Sequence, residues 1–579
     1  MFSKEDWLRS WKVSAWDEIA CSAATRLDPV PTPQSSTPSQ HVSHLDQYTG
    51  VARELVAVWP SKDDLRLIFD LPVRLSTHLH MRPCTSPAAV ISEELPSAQS
   101  MLQLPPPNSH PVLFARKLLI LGSLLQGALS SSHIPETQRQ HYEGIMSDAV
   151  GTAVRLVTTN DDLITYVEGI ECIMMEAMIH NYASRLHQTW RTLRRATTVA
   201  QILGLHRNSE LPSTRFLDPK TRTDFDAENI CFHLVSMDRY TSMVLGLPHS
   251  SGLPYASTMV QLAAFQPLER MARLQCNIAA RILSRDTEDH TSMHDIDVLL
   301  LHAAAEMPHQ WWLVPDLDYL RSHEPDPTKT IARFNYQFSH YHLLLRLHLP
   351  YLLRSSSHTD HTPSKITALT ASREILARFI AFRTWNSGQS YCRGMDFLAF
   401  VATIVLCVAH IDSQSIPETP AQCTNIGLIL AHSRSSDRAV MERSLEILQV
   451  MIGDELALKL CKVMQYLLDI EADAANGIDY RAATTSIDDS AIGEYGGLVD
   501  EGSTLQLHIP SFGIISLQQR SAMEASTDRT AVADPFNINN GLGTPLDEEW
   551  SQLLSAPEDW TFQSVNSALF GSLCNSSNN

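Results

Sequence analysis

The sequence predicts an all-α protein, a large helical array carrying a disordered acidic C-terminal tail. Apolar residues recur at steps of three and four through most of residues 51–470, the spacing that lays one stripe along a helix. Glycine is sparse, at 22 of 579 residues, as expected where long helices dominate. Hydrophobic residues make up 44% and charged residues only 19%, so a sizeable core is available. The length exceeds that of one ordinary domain, and three regions are expected: an N-terminal aromatic segment with a Pro/Ser-rich linker over 1–50, a helical domain over 51–470, and the tail over 471–579.

Residues 1–20 place Trp7, Leu8, Trp11, Ala15, Trp16 and Ile19 at roughly helical spacing, a stripe that either packs on its own domain or docks on a partner. Residues 27–50, rich in Pro, Ser, Thr and Gln, read as a linker. A short helix from Val51 breaks at Trp59-Pro60-Ser61. Ser61 then caps a second helix whose first turn holds Asp63 and Asp64, where the helix dipole favours acid. After a proline-rich connector over 81–110, the apolar stretch from Pro111 to Leu129 predicts a buried helix. Two more are expected from His141 to Leu156 and from Leu163 to Ala183. In the latter, Met174, Met175 and Met178 either fill core or shape an adaptable pocket.

Two amphipathic helices between Tyr182 and Pro248 organise the reading. Tyr182, Leu186, Trp190, Leu193, Ala196, Ala200 and Leu203 form one stripe, with Arg185, Arg191, Arg194 and Arg195 off that row. Gly204 suits a left-handed helix end, and Leu205 is placed to pack back on the last turn. Ile230, Leu234, Met237, Thr241 and Val244 form the second stripe, which stops at Gly246 with Pro248 beyond. The run from Trp190 to Arg207, with Ala200-Gln201-Ile202-Leu203-Gly204-Leu205-His206-Arg207 at its end, and the Met237-Asp238-Arg239-Tyr240 helix closing on Gly246-Leu247-Pro248, together resemble the fungal-specific transcription factor domain. That domain is the middle homology region of binuclear zinc-cluster regulators. Val58-Trp59-Pro60-Ser61, Pro105-Pro106-Pro107, Met307-Pro308-His309-Gln310-Trp311-Trp312, Tyr341 to Arg354 and Ser372-Arg373-Glu374 extend the resemblance to about residues 50–470. Where the second helix of the family often opens with paired arginines and a tryptophan, this chain has Glu228-Asn229-Ile230-Cys231-Phe232-His233.

Downstream, Leu268 to Leu283 resumes helical spacing, and Pro315, Pro325 and Pro327 mark a loop. A long helix follows from Ile331 to Leu352, with a kink or stop predicted at Pro350. Helices are then expected over Ile366–Arg383, Phe397–His410, Ala439–Ile452 and Leu456–Ile470. Leu456, Leu460, Val463, Leu467 and Ile470 form a seam that is either core or a dimer face. Beyond Glu471 the pattern dissolves. Leu546-Asp547-Glu548-Glu549-Trp550, Leu553, Leu554, Trp560 and Phe562 interleave acids with bulky apolar groups, the logic of an activation segment that a coactivator groove would take up.

Charge argues against direct nucleic-acid binding. The net charge is −20, and from residue 471 onward 16 acidic against 3 basic residues supply −13 of it. Ten cysteines are scattered with no Cys-x-x-Cys pair, and only Cys21 precedes Cys84, so the six-cysteine zinc module that the resemblance implies is not found in this sequence. Acidic and basic residues interrupt the N-terminal apolar stretch and no run of eighteen apolar residues occurs, so we expect no secretory signal and no membrane. No nucleophile elbow, phosphate loop, dinucleotide fingerprint or His-Glu-x-x-His helix occurs. His358 and His361 fall in a flexible loop, and Asp161-Asp162, like Asp63-Asp64, fits helix initiation. We therefore expect no enzyme, no catalytic, cofactor or metal site, and no cofactor. The resemblance implies a nuclear regulator of a metabolic or secondary-metabolite pathway that works as a homo- or heterodimer or through a DNA-bound partner, with a coactivator at its tail. The alternative is a ligand-sensing helical module whose clefts, lined by Met174, Met178, Trp190 or Tyr240, hold an apolar metabolite.

Overall fold

A computed structural model describes residues 39–71, 94–129, 134–183, 185–207, 214–250, 252–285 except 256, 290–316, 327–353, 361–385, 393–414, 425–451, 455–485, 504–509 and 513–519, with isolated positions between 73 and 85. The helices are α1 (Ser39–Ala57), α2 (Lys62–Phe69), α3 (Ala98–Met101), α4 (Pro111–Leu129), α5 (Glu136–Ala153), α6 (Val167–Tyr182), α7 (Leu186–Ile202), α8 (Pro219–Asp224), α9 (Ala227–Leu245), α10 (Met259–Leu262), α11 (Pro267–Leu283), α12 (His290–Ala305), α13 (Pro327–His348), α14 (Thr362–Trp385), α15 (Arg393–Gln414), α16 (Asn425–Gln449) and α17 (Glu455–Ala475). Three short strands follow: β1 (Tyr480–Thr485), β2 (Thr504–Ile509) and β3 (Gly513–Gln519). The fold is an all-α array to which a small sheet is appended.

Helices neighbouring in sequence pack in turn around four apolar clusters. The first joins α1 to α6 through Leu55, Phe114, Leu118, Leu121, Leu125 and Met175. The second joins α6, α7, α9 and α11 through Ile173, Met174, Leu193, Ala200, Ile230 and Leu234. Met243, Leu274, Ile278, Ile296, Leu300 and Leu347 close a third between α9 and α13. The largest gathers α13 to α17 around Phe334, Phe379, Phe382, Phe400 and Leu467.

Local signals explain many of the helix ends. Ser61 accepts the backbone N–H of Asp64 and caps α2, with Asp63 and Asp64 in its first turn as expected. Gly204 (φ 82°) and Gly246 (φ 69°) both adopt the left-handed conformation that ends α7 and α9, and Leu205 N–H reaches back to Ala200 O at 3.0 Å. Pro350 stops α13 in a short 3-10 turn, Leu349–Tyr351. The helices α4 and α15 are long and apolar enough to cross a membrane by composition, yet 61% and 89% of their apolar windows are buried inside the fold. They are core helices.

Several expectations need correction. α1 begins at Ser39, inside the stretch read as linker: Pro38 stands just before it, and burial of Ala52, Leu55 and Val56 anchors a helix whose polar first half shows no apolar stripe. α6 starts at Val167, so Asp161 and Asp162 lie in a turn rather than at a helix start. α16 starts at Asn425, well before Ala439, because its polar Ser433–Asp437 stretch is satisfied by groups on neighbouring helices. α12 was not foreseen. The seam of α17 belongs to the core, with Leu460, Val463, Leu467 and Ile470 all buried, and offers no dimer face.

Part of the range 471–579 nevertheless joins the fold. α17 continues to Ala475, and β3 lies between β1 and β2, antiparallel to both, pairing Ile515 with Thr484 and Leu507, and Leu517 with Ala482 and Leu505. Ile515 and Leu517 are buried, and Tyr480 and Ala482 pack beside them on the largest cluster. Period-two alternation inside a polar composition hides such strands. The segments around Trp7–Ile19 and Leu546–Phe562, together with Cys21, Cys84, Cys392, Cys423, Cys574 and His358, lie outside the described residues.

Buried ion pairs tie the last cluster together. Asp437 accepts Arg373 Nε at 2.7 Å, Ser433 Oγ at 2.9 Å and pairs with His410 Nε2 at 2.9 Å. Burial alone would raise its pKa, but the hydrogen bonds from Arg373 and His410 outweigh that and hold it below the ordinary 3.8. A depressed carboxylate stabilises the fold above its unfolded pKa and loses that contribution as pH falls. Asp437→Asn should therefore cost about 2 kcal/mol near neutrality. The gap between variant and wild type in denaturant unfolding should begin to narrow as pH falls below about 4, the unfolded carboxylate range, and close only once pH passes below the depressed folded value.

Candidate functional site

The candidate site is the junction of α6, α7 and α9, where both halves of the sequence motif meet. α6 has no exposed face, and its buried Met174, Ile173 and Ala177 receive Leu193, Ala196 and Ala200 from α7. Three glutamates nevertheless sit on it. Glu168 accepts the backbone N–H groups of Leu217 (3.0 Å) and Asp218 (2.9 Å). Glu171 pairs with Arg116 of α4 at 2.9 Å, and burial pushes its pKa up to about 7, with Arg116 pulling the other way. Glu176 pairs with Arg195 of α7 at 3.0 Å and accepts Thr192 Oγ1 at 3.3 Å. Its pKa is raised by burial, but hydrogen bonding to His180 and Thr158 leaves it below the ordinary range.

A second constellation locks α7 to α9. Asp238, fully buried in α9, pairs with Arg194 Nε at 2.9 Å and accepts Ser250 N–H at 2.6 Å and Ser250 Oγ at 2.9 Å. Arg194 also donates to Pro248 O and lies 4.6 Å over the Trp190 ring. Trp190 Nε1 donates to Ser242 Oγ at 3.1 Å, which in turn donates to Pro248 O at 3.2 Å. Arg239 donates to Cys276 O at 2.9 Å and to Tyr255 Oη at 2.5 Å, binding α9 to α11. Tyr240 points the other way: its hydroxyl lies 1.7 Å from where a Cβ on Gly394 would be, at the start of α15. These polar partners were not legible as pairs. The available signal was the adjacent Asp238 and Arg239 within the motif stretch of α9.

The residues named for the alternative metabolite cleft fall in different surroundings. Met174 is core, Trp190 is held by Ser242 and Arg194, and Tyr240 abuts α15, while Met178 is half-buried on α6. The five described cysteines are free and buried; burial pushes the thiols of Cys231 to about 12 and Cys461 to about 11, and raises those of Cys172 and Cys407 further. None is poised as a nucleophile. Among the described residues no group of His, Cys, Asp and Glu has the arrangement of a metal site. What this geometry does is hold helices in fixed register.

The chain is 32% identical over 546 residues to the dehydrocurvularin biosynthesis regulator of Aspergillus terreus, a match covering 90% of this chain and 71% of that protein. It is 30% identical to the dehydrocurvularin biosynthesis regulator of Alternaria cinerariae, over 82% of this chain and 61% of that protein. It is 35% identical to the transcription factor eupR of a Phoma species, over 53% of this chain and 67% of that protein. No protein-family model and no solved structure matches it.

The Asp238 clamp gives a test of the junction. Asp238→Ala removes the acceptor that Arg194 Nε and Ser250 share and should cost about 2–4 kcal/mol in denaturant unfolding. Arg194→Ala should cost a comparable amount, because it leaves the buried Asp238 carboxylate with Ser250 alone as donor. The double variant should be less destabilised than the sum, with a coupling of about 1 kcal/mol or more.

Proposed function

Because the chain belongs to a family of fungal transcription factors that includes biosynthesis regulators, we propose that it is a pathway-specific regulator of secondary-metabolite genes, acting in the nucleus. The match to the Aspergillus terreus regulator across 90% of the chain carries this reading. The junction supports it, since buried ion pairs and close packing suit a rigid scaffold and supply no reacting groups. With a net charge of −20, the chain reaches its promoter through a second copy or a DNA-bound partner, or through a zinc module outside these residues. The acidic and aromatic residues around Trp550 and Trp560 would engage a coactivator.

Deleting the gene should lower the transcripts of one biosynthetic gene set at least several-fold, read by transcript sequencing, while housekeeping transcripts stay level. Unchanged transcripts under producing conditions would refute the proposal. Residues 520–579 fused to a heterologous DNA-binding domain should activate a reporter, and replacing Trp550, Leu553, Leu554 and Trp560 with alanine should abolish that activity.

A further inference from the structure

The inner side of α17 is spent in the core, but its outer side is not. Leu458 is 53% exposed, and Val450, in the turn just before α17, is 72% exposed. Lys462, Gln465 and Asp469 follow Leu458 at steps of four, three and four, all exposed, with Tyr466 half-buried beside them. These residues, with Gln449 and Cys461, line an open groove of about 440 Å³. Lys462 has no carboxylate partner among the described ion pairs, and Asp469 accepts only the neutral Gln465 Nε2, at 3.0 Å.

We propose that this face is where two copies of the chain associate, with their α17 helices antiparallel about a two-fold axis passing between Gln465 and Tyr466. The charge order selects the occupant and its direction. Lys462 and Asp469 are two turns apart on one face, about 10.5 Å along the axis, and the midpoint of the pair falls at Gln465/Tyr466. Antiparallel pairing sets Lys462 of each copy against Asp469 of the other, so one patch makes two ion pairs. A parallel pair in register would set lysine against lysine and aspartate against aspartate. Self-complementarity of this kind is what an isologous two-fold contact requires. Tyr466 sits at the axis, where an aromatic group contributes most to an interface. A single helix pair buries less than the roughly 1,200–2,000 Å² of a standard stable interface, so the association is weak and concentration-dependent. The inference deepens the regulator reading by naming the surface for its second copy. Its test needs no promoter, so either can fail while the other stands.

The experiment is sedimentation velocity on the full chain across a concentration series. The wild type should shift from monomer to dimer in the micromolar range. Lys462→Glu alone and Asp469→Lys alone should each weaken association about tenfold or more, since each replaces two attractions with two repulsions. Mixing the two single variants should restore it, because both pairs are again of opposite charge, and so should the double variant. Circular dichroism should show unchanged helicity, as both side chains are exposed. A wild type that stays monomeric, single variants that associate as well as wild type, or a mixture no better than its components would each overturn the proposal.

Discussion

Three glutamates on a helix with no exposed residue constrain the whole N-terminal half. A buried carboxylate is tolerated only when paired or hydrogen-bonded, and α6 offers its acids in three directions. Glu168 fixes the chain at Leu217 and Asp218. Glu171 fixes Arg116 and with it α4. Glu176 fixes Arg195 and with it α7. Apolar packing alone would let neighbours slide along α6, and each ion pair selects one register. Such groups specify an arrangement more than they stabilise it.

The C-terminal half repeats the device with arginines. Arg383 and Asp396 meet at 2.6 Å with both side chains essentially out of solvent, joining α14 to α15. Arg378 is as deeply placed and donates to Gln337 Oε1 at 2.9 Å and to Trp312 O at 2.6 Å, which fastens the Trp311-Trp312 turn to α13 and α14. Arg373 reaches Asp437 across to α16. The guanidinium fork suits this task because several donors leave one planar group in fixed directions.

Most long helices were legible because burial along one stripe leaves a period in the residue types. Pro111–Leu129, the Trp190 to Leu205 stripe and both glycine stops were recovered from spacing and punctuation. The helix His290–Ala305 was not. Its buried Ile296, Leu300 and Ala303 keep the spacing, but exposed Val298 and Leu301 fill the gaps and erase the contrast. The strands failed for another reason: short segments in a polar stretch acquire their burial from a partner element, here the cluster around α15 and α17. The ion pairs of the junction were invisible in principle. Asp238 and Arg194 lie in different helices, and nothing in either stretch of residues announces which distant group will answer a buried charge.

The meeting of Tyr240 and Gly394 has a consequence for how such a chain can change over generations. The phenol oxygen occupies the space that any side chain at 394 would need. A larger residue there requires the Tyr240 side chain to swing aside or to lose its hydroxyl end. The two positions, 154 residues apart, are therefore coupled through one shared volume, so that what the motif helix carries at 240 bears on what the start of α15 can hold at 394.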